Sequence, residues 1–398
     1  MTKIQKSKKP VIALLCLSSS AITLADEGSL MPGNIAFHGF ATQNFVHSSD
    51  NQFFGDSESG SFEFFEVGGN ALWKINESLS FSAQLVARDA GKTDDGDPRF
   101  DYAFLDYQYF KNDWTSAGFR VGRVVQASGL YNETRDVAAT RPSIILPQSV
   151  YFDTLRNLAL SSDGISFYND FFRGQHELST QLVISEPRAE DPDLEPTVFS
   201  QARPGRFDGS ASWIGRILYD YDFGRLKFGI TAAELDIAYK ERGDPVLSNG
   251  EFSFRPIILS AQYQSEKITY AAEYIRRKSY LKGFGSAVNN EVTGSSYYLQ
   301  LQYRLNNQFS FFTRFDNLIR DDKDIKGEKF AEVTGFEATT RFSKDFAVGA
   351  RWDINNTWLV SAEYHNIEGA GWLSLLENPD HDVQKFWNLY LMSVSARF

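Results

Sequence analysis

Connections of two lengths take turns along this chain. Short ones are Asn76-Glu77, Lys111-Asn112-Asp113, Phe223-Gly224, Ser265-Glu266-Lys267, Asn306-Asn307 and Asn355-Asn356; between them lie long polar stretches such as 48–60, 186–210, 279–294 and 366–385. A soluble β-sandwich has no reason to sort its connections by parity, whereas a closed antiparallel barrel in a membrane puts tight turns at one end and long loops at the other. The intervening segments fit that reading, because they alternate apolar and polar residues over the ~9–11 positions that a tilted strand needs to cross a bilayer. In 79–88, Leu79, Phe81, Ala83, Leu85 and Ala87 oppose Ser80, Ser82, Gln84, Val86 and Arg88. In 296–304, Tyr297, Leu299, Leu301 and Tyr303 oppose Ser296, Tyr298, Gln300, Gln302 and Arg304.

Further strands are expected near 35–47, 61–74, 100–110, 115–124, 164–170, 176–185, 211–221, 226–235, 255–264, 268–277, 309–316, 346–353, 358–365 and 386–398. With the two above they make sixteen, a member of the even series of bacterial barrels. Val333 to Phe342 also alternates, but one more strand would make the number odd and move the C-terminus to the loop end. It belongs in the seventh long loop, unless the barrel has eighteen strands and a second one is hidden. The expected fold class is therefore all-β, a transmembrane antiparallel barrel with short periplasmic turns and long external loops.

Composition agrees. Aromatic residues are 15% of the chain, with 34 Phe and 18 Tyr, while the mean hydropathy is negative. A strand with lipid on one face and water on the other averages to polar, as a helical membrane protein does not. Trp73, Tyr107, Tyr109, Trp213, Tyr219, Tyr221, Tyr263, Tyr303 and Trp358 fall near strand ends, where rings with a polar tip sit at headgroup level.

The first residues, with Lys3, Lys6, Lys8 and Lys9 before a serine-interrupted apolar run, read as a secretory signal cleaved after Ala25. That leaves residues 26–398 as a single barrel domain. Removal of 1–25 takes four of the 40 basic residues and none of the 51 acidic ones, moving the formal charge from −11 to −15 (36 basic against 51 acidic). Such an acidic exported chain is a poor partner for nucleic acid. Cys16, the only cysteine, lies within the signal, so no disulfide or thiolate–metal chemistry is expected in the remainder.

At the other end, Tyr390, Met392, Val394, Ala396 and Phe398 form an apolar file opposite Ser393, Ser395 and Arg397. This alternation, with a terminal Phe and an aromatic residue ninth from the end, resembles the assembly signal of Gram-negative outer-membrane proteins. Asp101-Tyr102-Ala103-Phe104-Leu105-Asp106-Tyr107, Gly118-Phe119-Arg120-Val121-Gly122-Arg123 and Ala362-Glu363-Tyr364-His365 resemble recurrent strand pieces of general and phosphate-selective porins. The resemblance implies a passive channel for small hydrophilic solutes or ions in the outer membrane. It also implies insertion by the barrel-assembly machinery, surroundings of lipid and lipopolysaccharide, and a homotrimer. A channel specific for one nutrient class is one alternative; a plugged structural or adhesion barrel is another.

The long insertion Val125 to Ser162 becomes the third external loop, which in porins folds into the lumen and narrows it. Its apolar Ser143-Ile144-Ile145-Leu146, between Pro142 and Pro147, should not remain in water. Constriction candidates on this loop are Glu133, Arg135, Asp136, Arg141, Asp153 and Arg156; inward wall candidates are Arg88, Arg120, Arg216, Glu273, Arg314, Arg351 and Glu363. Opposed rows of these charges would set up a transverse field that orients solutes. Alternatively, they pair with one another and hold the loop. The loop has no lysine, unlike the constriction of phosphate channels, which argues against phosphate selectivity there.

No enzymatic function and no cofactor are expected. The histidines His38, His47, His176, His365 and His381 come without a G-x-S-x-G or H-E-x-x-H motif; His365, four residues from Ser361 on the same face, is the least implausible catalyst. Asp94-Asp95-Gly96-Asp97 and Asp321-Asp322-Lys323-Asp324 are rich in oxygen but lack EF-hand spacing, and read as solvated loops rather than metal sites.

Overall fold

The computed structural model describes residues 34–398 except 190–192, 202, 245, 286–289, 380 and 381. The expected signal segment 1–25 and His381 lie outside the described residues.

Strands β1 (Ile35–Ser48), β2 (Ser61–Lys74), β3 (Leu79–Ala90), β4 (Arg99–Lys111), β5 (Thr115–Val125), β6 (Ser161–Arg173), β7 (His176–Pro187), β8 (Gly205–Gly209) and β9 (Ser212–Tyr221) make up the first half of the sheet. The second half is β10 (Leu226–Glu241), β11 (Gly250–Gln264), β12 (Ile268–Lys282), β13 (Asn290–Arg304), β14 (Phe309–Ile319), β15 (Phe342–Asp353), β16 (Trp358–Gly369) and β17 (Phe386–Arg397). Neighbours in sequence pair antiparallel, and β17 returns to β1, with Arg397 opposite Phe40 and Leu389 opposite Ser48. No edge remains for another chain to extend. Both β8 and β9 lie along β10, Gly209 opposite Ile237 and Trp213 opposite Glu234, so they are two lengths of one stave. The barrel therefore has sixteen staves.

Several bounds differ from the sequence reading. β8 lies inside the stretch read as the loop 186–210, β15 begins at Phe342 rather than 346, and β12 and β13 run into the stretch read as the loop 279–294. Val333 to Phe342 is not a strand: its first residues end the helix α3 (Glu328–Thr334), and Ala338–Arg341 is a 3-10 turn. It lies in the seventh long loop, and the even number holds.

The tight turns have a local cause. Asn76, Asn112, Asn306 and Asn355 each turn the side-chain carbonyl onto the backbone N–H groups two and three residues ahead, at 2.8–2.9 Å. An asparagine that mimics the backbone in this way reverses the chain without help from the rest of the fold. The turn at Asp222-Phe223-Gly224 instead holds all three residues at positive φ, 56°, 56° and 93°. There Asp220 Oδ1 accepts the Gly224 N–H at 2.5 Å.

Alternation sorts the side chains as expected. On β3, Leu85 is 46% exposed outward while Gln84 and Arg88 are 5% and 3% exposed inward; on β13, Leu299 is 56% exposed and Gln300 4%. The outward belt continues through Phe167, Ile217, Ile230, Ile257, Phe346 and Met392, all exposed. A continuous apolar band around a closed barrel is stable only against lipid. Tyr107, Tyr221, Tyr263, Tyr303 and Trp73 pair near the turn end and make a girdle there, whereas Trp213, opposite Ile184 and Glu234, lies toward the loop end.

Of the expected assembly file, Tyr390, Met392, Val394 and Phe398 are exposed outward and Ala396 is covered. At the seam, Gly39 and Phe398 exchange backbone hydrogen bonds at 2.7 and 3.0 Å. A Cβ on Gly39 would come within 2.4 Å of the Phe398 ring, so this ring takes the place of the missing side chain.

The long loops fold inward and over the loop end. Loop 3 is residues 126–160 and ends in the short helix α1 (Arg156–Leu160); loop 4, residues 188–204, contains α2 (Leu194–Phe199). Three apolar clusters form inside the wall. One joins Leu155 and Leu158 of loop 3 to Leu194 of loop 4, Leu247 of loop 5, Phe284 of loop 6 and Val183, Ile214 and Ile237 of the wall. A second joins Ile144 and Ile145 to Phe53 and Phe54 of loop 1 and Trp372 and Leu373 of loop 8, residues 370–385. The third packs Leu146, Val150 and Tyr151 on Ile258, Ile275 and Tyr298.

Candidate functional site

The path through the barrel is defined by loop 3 against the wall. Pro142 and Pro147 bound the apolar run, and Ile144, Ile145 and Leu146 are 4%, 3% and 4% exposed, as the cost of leaving such a run in water requires. Their backbone is held by wall side chains. Ile144 N donates to Glu363 Oε1, Ser149 N to Asp316 Oδ2 at 3.3 Å, and Leu130 N to Glu273 Oε1 at 3.0 Å. From the carbonyl side, Arg314 donates to Ile145 O at 3.2 Å, Arg351 to Ala139 O at 3.1 Å, and Arg216 to Gly129 O at 3.3 Å. Loop 3 thus touches strands on every side of the interior.

The expected charged residues sort into ion pairs. On the β2–β3 side, Arg141 Nη2 reaches Glu66 Oε2 at 2.8 Å, and Arg88 lies 3.6, 3.4 and 3.3 Å from Glu66, Asp94 and Asp153. Arg135 joins through Asp153 at 3.4 Å, Arg99 holds Asp94 at 2.5 Å, and Arg156 pairs with Asp136. Arg156 is held well below the usual arginine range by burial and by neighbouring Arg135 and Arg88. Glu133 pairs with Arg216 at 2.7 Å, and Arg351 with Asp353 at 2.8 Å beside its loop carbonyls.

Opposite, Glu273 accepts from the Tyr151 hydroxyl at 2.5 Å, the Ser260 hydroxyl at 2.5 Å and the Tyr298 hydroxyl at 2.9 Å. Arg314 donates to Ser143 Oγ at 2.9 Å and lies 3.9 Å from Asp345. Arg120 stands apart toward the turn end, bonded to Asp106 at 3.0 Å with the Tyr168 ring beneath it. Of the two arrangements left open by the sequence, the geometry favours pairing that holds the loop over free rows that face each other across water.

Glu66, Asp94, Asp345 and Asp316 complete this network and were missing from the sequence-derived set. Glu66 and Asp316 were readable from alternation, each on the inward parity of its strand. Asp345 was lost because the strand was expected to start at 346, whereas β15 starts at Phe342. Asp94 was read as part of a solvated loop, whereas Arg88 and Arg99 occupy its oxygens.

His365 is fully buried, with Nδ1 2.8 Å from Asp345 and Nε2 3.3 Å from Glu363. Both nitrogens face carboxylates rather than Ser361. Asp321 and Asp324 accept backbone N–H groups of Lys323 and Phe330 within loop 7, residues 320–341.

Toward the turn end the interior opens. A polar cavity of about 560 Å³ lies below loop 3, lined by Gln262, Gln302, Arg304, Asn306, Lys267 and Arg351 among others. Toward the loop end, Glu377 of loop 8 accepts Phe54 N at 2.7 Å and Gly55 N at 2.6 Å from loop 1. Burial pushes its carboxyl up to about 7. Ser374 of loop 8 donates to Asp193 of loop 4 at 2.5 Å, which joins the loops over the mouth.

No family model and no curated protein matches the chain. Solved structures do. The outer-membrane channel DcaP of Acinetobacter baumannii superposes with a TM-score of 0.59 at 10% identity over 92% of this chain and 97% of its own. The fold is that of sixteen-stranded porins. The anion-selective porin from Comamonas acidovorans gives 0.57 at 11% identity over 92% and 99%. The trimer form of OmpT, an outer-membrane protein of Vibrio cholerae, gives 0.56 at 11% over 92% and 99%. At such identities the porin likeness is one of architecture, and the residues that line the path are this chain's own.

Proposed function

We propose that the chain is an outer-membrane porin that passes small hydrophilic solutes or ions by diffusion, with loop 3 as its constriction. The observation that carries this reading is the course of residues 126–160, which cross the interior above a polar vestibule of about 560 Å³ and bind the wall on both sides. A barrel with a polar inner wall and an internal loop is built to restrict a passage rather than to catalyse, and no chemical step is part of the reading. In this orientation the turn end faces the periplasm and the long loops face outward among lipopolysaccharide. The likeness to an outer-membrane protein solved in a trimer form supports a homotrimer, and insertion by the barrel-assembly machinery is part of the same reading.

A second reading has its own observation. Two apolar clusters and the Ser374–Asp193 and Glu377 contacts fill the loop end, as expected of a plugged barrel whose loops bind partners. Purified protein in planar lipid bilayers separates the two: stepwise conductance is expected of the porin, and persistent silence of correctly folded protein would establish the plug. A nutrient-specific channel would show saturation by one solute class.

A further inference from the structure

Most buried arginines around loop 3 are matched by a carboxylate, but at the loop end the buried Arg277 and the half-buried Arg320 and Arg341 are not. Arg277, Arg320 and Arg341 make no ion pair among the described residues. Arg277 donates to Ser296 Oγ at 2.8 Å and Ile319 O at 2.7 Å. Arg320 gives Nε and Nη2 to a single carbonyl, Gly371 O, at 2.9 and 2.7 Å. Arg341 rests on the Phe330 ring, 4.4 Å from its centroid.

The acids around them have other duties: Asp321 and Asp324 hold the backbone of loop 7, Asp322 accepts from Ser295 at 2.8 Å, and Asp193 accepts from Ser374 at 2.5 Å. Burial, followed by the like charges of Arg341 and Arg277, lowers Arg320 to about 9. Burial also holds Arg341 below its ordinary value, although Asp321 and Asp324 oppose it.

Arg320 and Arg341 line one cavity, of about 30 Å³, between loops 4, 7 and 8. Thr197 also lines it, as do Thr340 and Ser374, whose hydroxyls donate to Glu337 O and to Asp193. A water needs about 10–15 Å³ measured this way, so the space suits one small ion with little adjustment. Guanidinium forks match the paired oxygens of phosphate, sulfate or carboxylate, and a desolvated positive cluster gains most from such a partner.

We infer that the cavity between loops 4, 7 and 8 is a binding site for a small oxyanion, held by Arg320 and Arg341 and placed at the loop-end mouth, away from the loop 3 constriction. Its use as a capture point for anionic solutes rests on the channel reading; the binding itself does not. The same chemistry fits a free anion and the phosphate of a neighbouring lipopolysaccharide.

The test is equilibrium dialysis of radiolabelled inorganic phosphate against the folded full chain in phosphate-free detergent, with sulfate and acetate as competitors. Saturable binding is expected, weakened about tenfold or more by the double variant Arg320→Gln/Arg341→Gln and unchanged by Lys323→Gln/Lys326→Gln on the same loop. Unaltered heat-modifiable mobility shows that each variant is folded. Absence of binding by the unaltered chain, or equal binding by the double variant, overturns the inference, whether or not the protein conducts. Repeating the assay in vesicles with and without lipopolysaccharide assigns the source: phosphate binding that persists identifies a solute site, and binding displaced only by lipopolysaccharide identifies the lipid phosphate.

Discussion

The two ends of this barrel are built on opposite plans. At the turn end, reversals are made locally by asparagine side chains, the inner wall carries amides and charges, and an open cavity remains. At the loop end, residues far apart in sequence meet in two apolar clusters, and polar groups are joined from loop to loop. The difference teaches that the free space inside the barrel is not set by the number of staves. The wall leaves room, and the loops take it away.

The largest test of that contrast removes the loop. Deletion of residues 130–155 should raise single-channel conductance severalfold in planar bilayers; unchanged conductance in a folded variant would show that the other long loops, not loop 3, set the limit.

Next in size is Glu66→Ala, which strands Arg88 and Arg141 in the interior beside fewer acids. Removal of one partner from a buried pair costs about 3–5 kcal/mol, so the variant should lose resistance to thermal unfolding followed by electrophoretic mobility. The equivalent change at the turn end, Asp106→Ala beside the partly exposed Arg120, should cost far less. Equal losses at the two sites would erase the distinction between the ends.

Glu273→Ala leaves the Tyr151, Tyr298 and Ser260 hydroxyls without their shared acceptor. At about 1–3 kcal/mol per unsatisfied group, loop 3 should loosen locally. Noisy conductance and protease cleavage within 126–160 are expected while the barrel remains folded.

The smallest effect is a pH dependence of the loop-end clasp. The Glu377 carboxyl is raised from 4.5 to about 7 in the folded chain, so its protonated form favours the folded clasp. Its stabilising contribution is full below about pH 4.5 and is lost as the pH rises through about 7. Amide exchange at Phe54 and Gly55, corrected for intrinsic rate, should accelerate from pH 5.5 to pH 8, and Glu377→Gln should flatten that response. A flat response in the unaltered chain would mean that the clasp does not depend on this proton.

The same contrast explains what was readable from the sequence. The staves, their faces and the Asn-led turns come from patterns within a dozen residues, and so alternation and turn chemistry located them. Arg88, Arg314, Glu273 and Glu363 were placed inward correctly by parity alone. Pairing was not readable, because Glu66 finds Arg141 across 75 residues and Tyr151 finds Glu273 across 122. Nothing local distinguishes Asp94, which grips two arginines, from the neighbouring Asp97. Val333 to Phe342 is the reverse case, a period-two pattern that the even strand number, not alternation, kept out of the wall; it holds the end of α3 and a 3-10 turn.

The way in which loop 3 is fastened also has a mechanical consequence. A closed sheet held only by neighbour-to-neighbour hydrogen bonds can part at one seam and peel away strand by strand. Here the loop binds β2 through Arg141, β12 through Tyr151 and β16 through Ile144, and so acts as a set of spokes within a hoop. Opening any seam means tearing spokes as well. The barrel should therefore resist deformation of its cross-section and come apart in one step, and without its spokes it would be a softer tube that frays.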